Sequence, residues 1–396
     1  MATHKPIHIL LTGARAPATL HLARLLHKAG CKVFVADTFL AHAAGYSNVV
    51  SQNLLIPSPT HDFEAFRQKI ISIIIEFQID FLVPTCEEVF YISMLQDELQ
   101  KHTQVFTSPI EVLKVLHSKY DFVQLLTKLH LPSPQTFIAT NQQELEAYRQ
   151  NLKQYVLKPE YSRFADKIVI DSDGHLLKQR IDFEVSPSKK WVVQSYIEGA
   201  HFCSYSIVKK GKLLAHTVYP VGYRVKQGAA LYFTHIDIPE IETAIRSIAQ
   251  ELNYTGHLAF DFIHSNIDNL YYAIECNPRL TSGIHLFEDS QKLAYIFTQP
   301  SPSFASKPLY GASDSQWMIS FGLLLYALPK VKSIKEMKNL FLDIKRAKDV
   351  VFSWKDLKPF IKQFSSLYHF YRLSRQEGIS LLEASTYDIE WNGTTD

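Results

Sequence analysis

The sequence predicts a mixed α/β and α+β protein: an N-terminal doubly wound parallel-sheet domain, a central domain built on antiparallel sheets, and a mainly helical C-terminal segment. Three observations carry that reading. Short apolar runs alternate with helical patterns over the first hundred residues, as a chain of βαβ units requires. The next 160 residues hold strand-like runs joined by hairpin signals and interrupted by one amphipathic helix. Beyond Gln299-Pro300-Ser301-Pro302-Ser303 the pattern is mostly helical.

The first strand is Ile7 to Leu11, ending at Thr12-Gly13, and the helix after it carries Leu20, Leu22, Leu25 and Leu26 on a broad apolar face. Gly30 stops that helix, and Lys32 to Asp37 reads as the second strand. A helix over Phe63 to Phe77, a strand at Asp80 to Pro84, a helix over Glu87 to Leu99 and a strand at Gln104 to Thr107 continue the alternation. Two short helices between Pro109 and Leu131 lead to Leu131-Pro132-Ser133-Pro134, which breaks into extended chain. Strands follow at 155–158, 168–171, 191–196, 202–208, 213–218, 258–264 and 270–275, with hairpin signals at Lys209-Lys210-Gly211-Lys212 and around Asn266 to Asn269, and a helix over Ile241 to Leu252. The expected domains are 1–112, 113–299 and 300–396.

Composition excludes several classes. The 396 residues are 46% apolar, 20% charged and 12% aromatic, the profile of a folded chain. Forty-one basic residues against 39 acidic ones leave +2, so no global field points to nucleic acid or a membrane, and a charged ligand must be held locally. Cys31, Cys86, Cys203 and Cys276 show no metal-ligand spacing and suit a reducing cytoplasm. No apolar run reaches the roughly 20 residues of a bilayer span.

The densest polar constellation is Gly256-His257-Leu258-Ala259-Phe260-Asp261-Phe262 with Tyr271-Tyr272-Ala273-Ile274-Glu275-Cys276-Asn277-Pro278-Arg279. On adjacent antiparallel strands, Asp261 and Glu275 share a face, with Asn277 two residues on. Two carboxylates and an amide oxygen make a hard site suited to Mg²⁺, and Arg279 sets a forked cation beside any phosphate there. Cys276 should point away from that face. Lys119 opens a helix, and Lys158 closes the apolar strand Tyr155-Val156-Leu157-Lys158-Pro159, where its head group can reach into a cleft. A third element is the apolar strand Trp191-Val192-Val193-Gln194-Ser195-Tyr196-Ile197-Glu198-Gly199, which runs into a polar turn.

In this order, lysine, lysine-proline, strand with Ile197-Glu198-Gly199, acidic strand and Glu275-x-Asn277-Pro278-Arg279, roughly residues 1–295 resemble the carboxylate-amine ligases of the ATP-grasp superfamily, relatives of the large chain of carbamoyl phosphate synthetase and of biotin carboxylase. The resemblance implies ATP with Mg²⁺ (or Mn²⁺) as cofactors. It implies that Lys119 and Lys158 bind phosphates, that Gln194, Tyr196 and Ile197 line the adenine pocket with Glu198 at its edge, that Asp261, Glu275 and Asn277 hold the metal, and that Arg279 stabilises the transferred phosphoryl group. Three departures stand out. The phosphate-covering loop Glu160 to Asp166 contains no glycine, so Ser162 and Arg163 must act through side chains. His201 stands where a ribose-binding Glu is usual, and Gln194 where a Glu is usual.

The expected reaction is a two-step ligation. A carboxylate takes the γ-phosphoryl group of ATP, and an amine then displaces phosphate from the acyl phosphate, with no protein nucleophile. The partners are small-molecule carboxylate and amine substrates, in a cytoplasmic enzyme for which a homodimer is one arrangement. A nucleotide-binding regulatory or scaffold protein is the alternative. Arg224 and Lys226, alternating on a strand-like run before Gly228, suit a substrate carboxylate or acyl phosphate. Arg15, Glu87 and Glu88 lie at carboxyl ends of strands, where substrate contact competes with ordinary loop roles, and His285 is read as a structural histidine. A lone Gly13 in place of G-x-G-x-x-G argues against dinucleotide binding. Residues 330–362 carry ten basic against four acidic residues among apolar positions such as Leu340, Phe341, Leu342, Val350, Val351 and Trp354, which are expected to pack against the body.

Overall fold

The computed structural model describes residues 5–161, 168–178, 183–224, 230–299 and 307–393. The N-terminal unit runs β1 (His8–Thr12), α1 (Pro17–Lys28), β2 (Lys32–Asp37), β3 (Val50–Leu55), α2 (Phe63–Glu76), β4 (Phe81–Pro84), α3 (Val89–Met94), α4 (Gln96–Leu99) and β5 (Gln104–Val105). Its five strands are parallel in the order β3-β2-β1-β4-β5. Because crossover helices cover both faces, β1, β2 and β4 are buried almost throughout, and their sequences are apolar without alternation. The expected helix over 87–99 is broken at Leu95 into α3 and α4.

Gly13 ends β1 with φ +65°, and a Cβ there would lie 2.5 Å from Cys86 Cβ. The glycine is required by that close approach and by the left-handed backbone, not by a dinucleotide. The neighbouring Glu88 carboxylate takes hydrogen bonds from Thr12 Oγ1, the Thr85 amide and the Cys86 amide.

After α5 (Ile110–His117) and α6 (Lys119–Lys128), two antiparallel sheets follow. The smaller contains β6 (Thr136–Ala139), β7 (Tyr155–Pro159), β8 (Val169–Asp171) and β9 (Trp191–Ser195), in the order β6-β9-β7-β8, with α7 (Gln142–Leu152) on one face. Alternation divides its side chains: Tyr155, Leu157, Trp191 and Val193 pack toward Leu145 of α7, and Val156, Lys158 and Gln194 face the other way. The larger sheet is built from β10 (Gly199–Lys209), β11 (Lys212–Pro220), β13 (Gly256–Ser265) and β14 (Tyr271–Asn277), ordered β14-β13-β10-β11. The β10–β11 hairpin turns at Lys210 (φ 50°) and Gly211 (φ 71°), the paired positive φ angles whose twist matches the strands. Between these hairpins lie β12 (Tyr232–Thr234) and α8 (Pro239–Glu251). Phe260 and Phe262 on the back of the sheet pack against Phe122 of α6 and Ile241, Ile245 and Ile248 of α8. On the front, Tyr205 and Ala259 meet Leu22 of α1 and Ile296 of α9 (Ser290–Thr298).

The C-terminal segment adds β15 (Leu309–Tyr310), β16 (Gln316–Met318), α10 (Ser320–Gly322), α11 (Ile334–Arg346), β17 (Lys348–Asp349), α12 (Lys358–Glu377) and α13 (Leu381–Ala384). It is woven into the body: β15 pairs with β11, and β16 and β17 complete a three-stranded sheet with β12. Arg24 donates to Asp356 (2.9 Å), and Arg15 is clamped between Asp37 and Asp388. Trp391 is buried, stacked on Phe90 and edge-on to Tyr161. Of the apolar residues expected to pack, Leu340, Val350 and Val351 are buried, whereas Phe341, Leu342 and Trp354 are exposed. Leu340 is the one fully buried residue of α11, which leaves the neighbouring side chains on the solvent side of the helix.

A chain cut after residue 299 loses Asp388 from Arg15, Asp356 from Arg24 and Trp391 from Phe90 together, and removing one member of a buried ion pair alone costs about 3–5 kcal/mol. The truncated chain is expected to be insoluble or to melt without cooperativity, measured by calorimetry against the full chain.

Candidate active site

The site is built where the two antiparallel sheets face each other. Asp261 of β13 and Glu275 of β14 are direct cross-strand partners, and a bulge beside them inserts Ile274 opposite no residue. The bulge frees the Ile274 carbonyl, which accepts a hydrogen bond from Lys158 Nζ at 3.1 Å; the same ammonium donates to Gln194 Oε1 at 3.0 Å. Gln194 Nε2 donates in turn to Thr136 Oγ1 (3.0 Å). Lys158, the last slot-facing residue of β7, is therefore aimed across the gap at the carboxylate strands.

Lys119 arrives as the first residue of α6, whose start is tied to the chain just past Lys158. Ser118 caps that helix by accepting from the Asp121 amide and donates to Glu160 Oε1 at 2.9 Å, while the Lys119 amide donates to the Glu160 carbonyl. Lys119 Nζ lies 3.9 Å from Glu275 Oε1. Arg279 follows β14 through Pro278. Its Nε donates to Glu87 Oε1 at 2.6 Å and its Nη2 to Asn277 Oδ1 at 3.0 Å.

The electrostatics follow from packing charges of both signs away from water. Burial, then the facing Glu275, raises the Asp261 carboxyl above its ordinary range. Burial lowers Lys158 to about 8 against the opposing pull of Glu275. Burial is the largest influence on Arg279 and works against its charge, but Glu87, by charge and hydrogen bond, together with Cys86 and Glu275 outweighs it, and the guanidinium pKa rises. The Cys203 thiol donates to Asp261 Oδ1 at 3.0 Å and is held protonated by burial and by that carboxylate.

These groups line one cavity of about 770 Å³. Lys119, Lys158, Asp261, Glu275, Asn277 and Arg279 meet there, joined by Gln194, Tyr196 and Ile197 from the strand and turn of β9, and by His201 and Arg224. Burial and the nearby Arg224 lower the His201 pKa. Cys276 is buried in the core behind the sheet, as expected.

Glu198, expected at the pocket's edge, follows the cavity-lining Ile197 where the chain turns to start β10; it is exposed to solvent and not itself a lining residue, and its carbonyl accepts from the Asn266 amide. Arg15 and Glu88 are also spent elsewhere, in the Asp37/Asp388 clamp and under β1, and Glu87 serves to orient Arg279. His285 lies in the core, edge-on to His21 and near Trp317. Ser162, Arg163 and Lys226 lie outside the described residues. Sequence reasoning missed Cys203, Glu160 and Thr136. Glu160, two residues past Lys158, was legible as a polar residue at the end of an apolar strand; the other two carried no signal of their own.

Among the described residues no three His, Cys, Asp or Glu side chains cluster as a metal site. Two carboxylates and an amide nevertheless fit a hard cation that completes its shell with water and phosphate oxygens.

Residues 116–283 match the family model of an ATP-grasp domain. The chain carries an ATP-grasp domain. No curated protein sequence matches it significantly. Its fold is similar to the biotin carboxylase domain of the Hydrogenobacter thermophilus 2-oxoglutarate carboxylase, solved with MgADP, ADP and bicarbonate, at 13% identity and TM-score 0.59, covering 77% of this chain and 72% of that one. It is similar also to the N5-carboxyaminoimidazole synthetase of Staphylococcus aureus with ADP (12%, 0.59, 78% and 80%) and to an L-amino acid ligase of Bacillus licheniformis (14%, 0.56, 74% and 74%). The likeness extends past the ATP-grasp domain to about three quarters of the chain. No helix among the described residues is long and apolar enough to cross a membrane.

Replacing Lys158 by Ala is expected to raise the dissociation constant of a non-hydrolysable ATP analogue at least tenfold, the value of one charge-assisted contact. Lys153→Ala, at an exposed position five residues earlier, is expected to leave it unchanged. Calorimetric titration distinguishes the two.

Proposed function

We propose that the protein is an ATP-dependent carboxylate-amine ligase. One observation carries the reading: Lys119, Lys158 and Arg279, delivered by three separate elements, converge in one cavity on the Asp261–Glu275–Asn277 oxygen cluster. Such a set neutralises a polyphosphate and holds a divalent cation against it, which is the work phosphoryl transfer asks of a protein.

Lys119 and Lys158 bind the phosphates, the Gln194–Ile197 strand end receives the base, and Asp261, Glu275 and Asn277 hold Mg²⁺ or Mn²⁺. The bound cation supplies charge neutralisation at the phosphoryl oxygens. Arg224 holds the substrate carboxylate. A carboxylate oxygen attacks the γ-phosphorus, the bond from that phosphorus to the bridging oxygen breaks, and ADP leaves. Arg279, its fork fixed by Glu87 and Asn277, stabilises the equatorial oxygens during transfer. The amine nitrogen then attacks the acyl carbon, the bond from that carbon to the phosphate oxygen breaks, and the amine proton passes to solvent as inorganic phosphate departs. The residues of the site position and neutralise, and none forms a covalent bond.

The second reading, nucleotide binding without turnover, draws on the glycine-free stretch Glu160 to Asp166. Metal-dependent ADP release in the presence of carboxylates and amines separates the two. Glu275→Gln is expected to keep the fold but to lose about 1.5–3 kcal/mol of metal binding, seen as a tenfold to hundredfold loss of turnover at limiting Mg²⁺. Wild-type turnover in that variant removes Glu275 from the metal set.

A further inference from the structure

Helix α12 packs on the body through one side and leaves the other largely to solvent. Its buried side chains are Pro359, Ser366 and Phe370: Ser366 Oγ donates to the Ala41 carbonyl at 3.0 Å, and Phe370 packs with Phe39 and Ala384. On the opposite side Leu357, at the start of the helix, is followed by Ile361, Phe364, Tyr368 and Tyr371. Their spacing of four, three, four and three residues is that of a heptad seam, and it lines them up over about 21 Å of helix. A stripe of this kind ordinarily faces other apolar surface. Here Ile361, Tyr368 and Tyr371 are 63%, 64% and 55% exposed.

The apolar surface continues onto a second element. Phe321 of α10 stands edge-on to Phe364, with ring centroids 5.4 Å apart. Leu324 and Leu325, three and four residues past Phe321, are each half exposed on the helical turn that follows. Apolar side chains from two neighbouring elements suit the seating of a third helix against them.

Charge decides what kind of helix fits. α12 carries Lys358, Lys362, Arg372 and Arg375 against Glu377 alone. Lys358 lies three residues before Ile361, Arg372 four after Tyr368 and Arg375 four after Tyr371, so these three border or extend the seam, and all are exposed. The acids of the region are taken up by the body: Asp349 accepts from Ser320, Asp356 from Arg24, Glu377 from Tyr387 Oη, Glu383 from the Ser380 amide and Asp388 from Arg15. No other Asp or Glu occurs between residues 349 and 388. A second copy of this chain would therefore meet the seam with the same cations, whether the two helices ran parallel or antiparallel, and like charges would face each other.

We propose that the α12 seam docks an amphipathic helix of a partner polypeptide whose apolar stripe is bordered by Asp or Glu. The partner's apolar side chains pack on Ile361, Phe364, Tyr368 and Tyr371, its carboxylates face Lys358, Arg372 and Arg375, and the tyrosine hydroxyls stay at the wet rim. This surface is separate from the ligase cavity, none of whose lining residues lies on α12.

The test uses the full chain and a synthetic peptide of about 21 residues, heptads with Leu at the seam positions and Glu beside them, titrated by fluorescence anisotropy. The acidic peptide is expected to bind at least tenfold more tightly than the same peptide with Lys in place of Glu. Ile361→Ser combined with Tyr368→Ser is expected to weaken it at least tenfold, and Arg372→Glu combined with Arg375→Glu to abolish the preference for the acidic peptide. Ile267→Ser, at an exposed apolar residue of the β13–β14 turn, is expected to change nothing. Because all these side chains are exposed, each variant is expected to keep the parent melting temperature, which calorimetry checks. No binding, equal affinity for the two peptides, or binding unmoved by the seam variant overturns the proposal. So does a dimer in sedimentation that the seam variant dissociates, which makes the occupant a second copy, and so does binding to phosphatidylglycerol vesicles that the seam variant removes, which makes it a bilayer.

Discussion

Two carboxylates placed directly opposite each other on neighbouring buried strands repel, and nearly every feature of the cavity answers to that repulsion. Like charges at a cross-strand position are destabilising even at a surface, and here both carboxylates are half-buried in the cavity lining. Asp261 and Glu275 tolerate each other because Lys119, Lys158 and Arg279 are brought within reach from a helix, from the other sheet and from the end of the same strand. Each cation in turn needs a brace against its own burial. Gln194 and the bulged carbonyl of Ile274 serve Lys158, Glu160 ties down the helix start that presents Lys119, and Glu87 holds Arg279. A nucleotide phosphate with its cation would enter a field prepared for it, and the excess negative charge of the pair is what the cation would relieve.

That chain of braces explains why the three parts of the molecule are interlocked. Glu87 lies in the turn between β4 and α3 of the N-terminal unit, so its brace on Arg279 holds only while that unit is docked on the antiparallel sheet. Ile319, which lines the cavity, depends likewise on the small sheet in which β12 pairs with β16. The site is a property of the assembled chain.

Much of this was legible in the sequence because it is local. The alternating pattern of Tyr155 to Lys158 names both the strand and the lysine that leaves its core-facing side, and Glu275-x-Asn277 puts two oxygen donors on one face whatever the rest of the fold does. Features that depend on distant pairing were not legible. Strands β12, β16 and β17 are two or three residues long and exist because segments about 30 and about 85 residues apart meet. Arg15 could be read only as a loop cation, with substrate contact competing against an ordinary loop role, since nothing near it announces that Asp388 will take it. Strand β6 and helix α7 escaped because Thr136 to Ala139 is too short to show a period of its own.

The clamp on Arg15 also sets a timetable. Asp388 is 373 positions further along the chain, and at the usual pace of translation it emerges roughly 20–75 s after Arg15. Through that interval the N-terminal sheet can form, yet Arg15 lacks half of its counter-charge and Phe90 lacks the indole that will cover it. The nascent chain therefore carries an unfinished, partly apolar face on its first domain until almost the whole polypeptide has been made. Its earliest-folding part is the last to be sealed, and the demand for chaperone protection falls on the domain that is synthesised first.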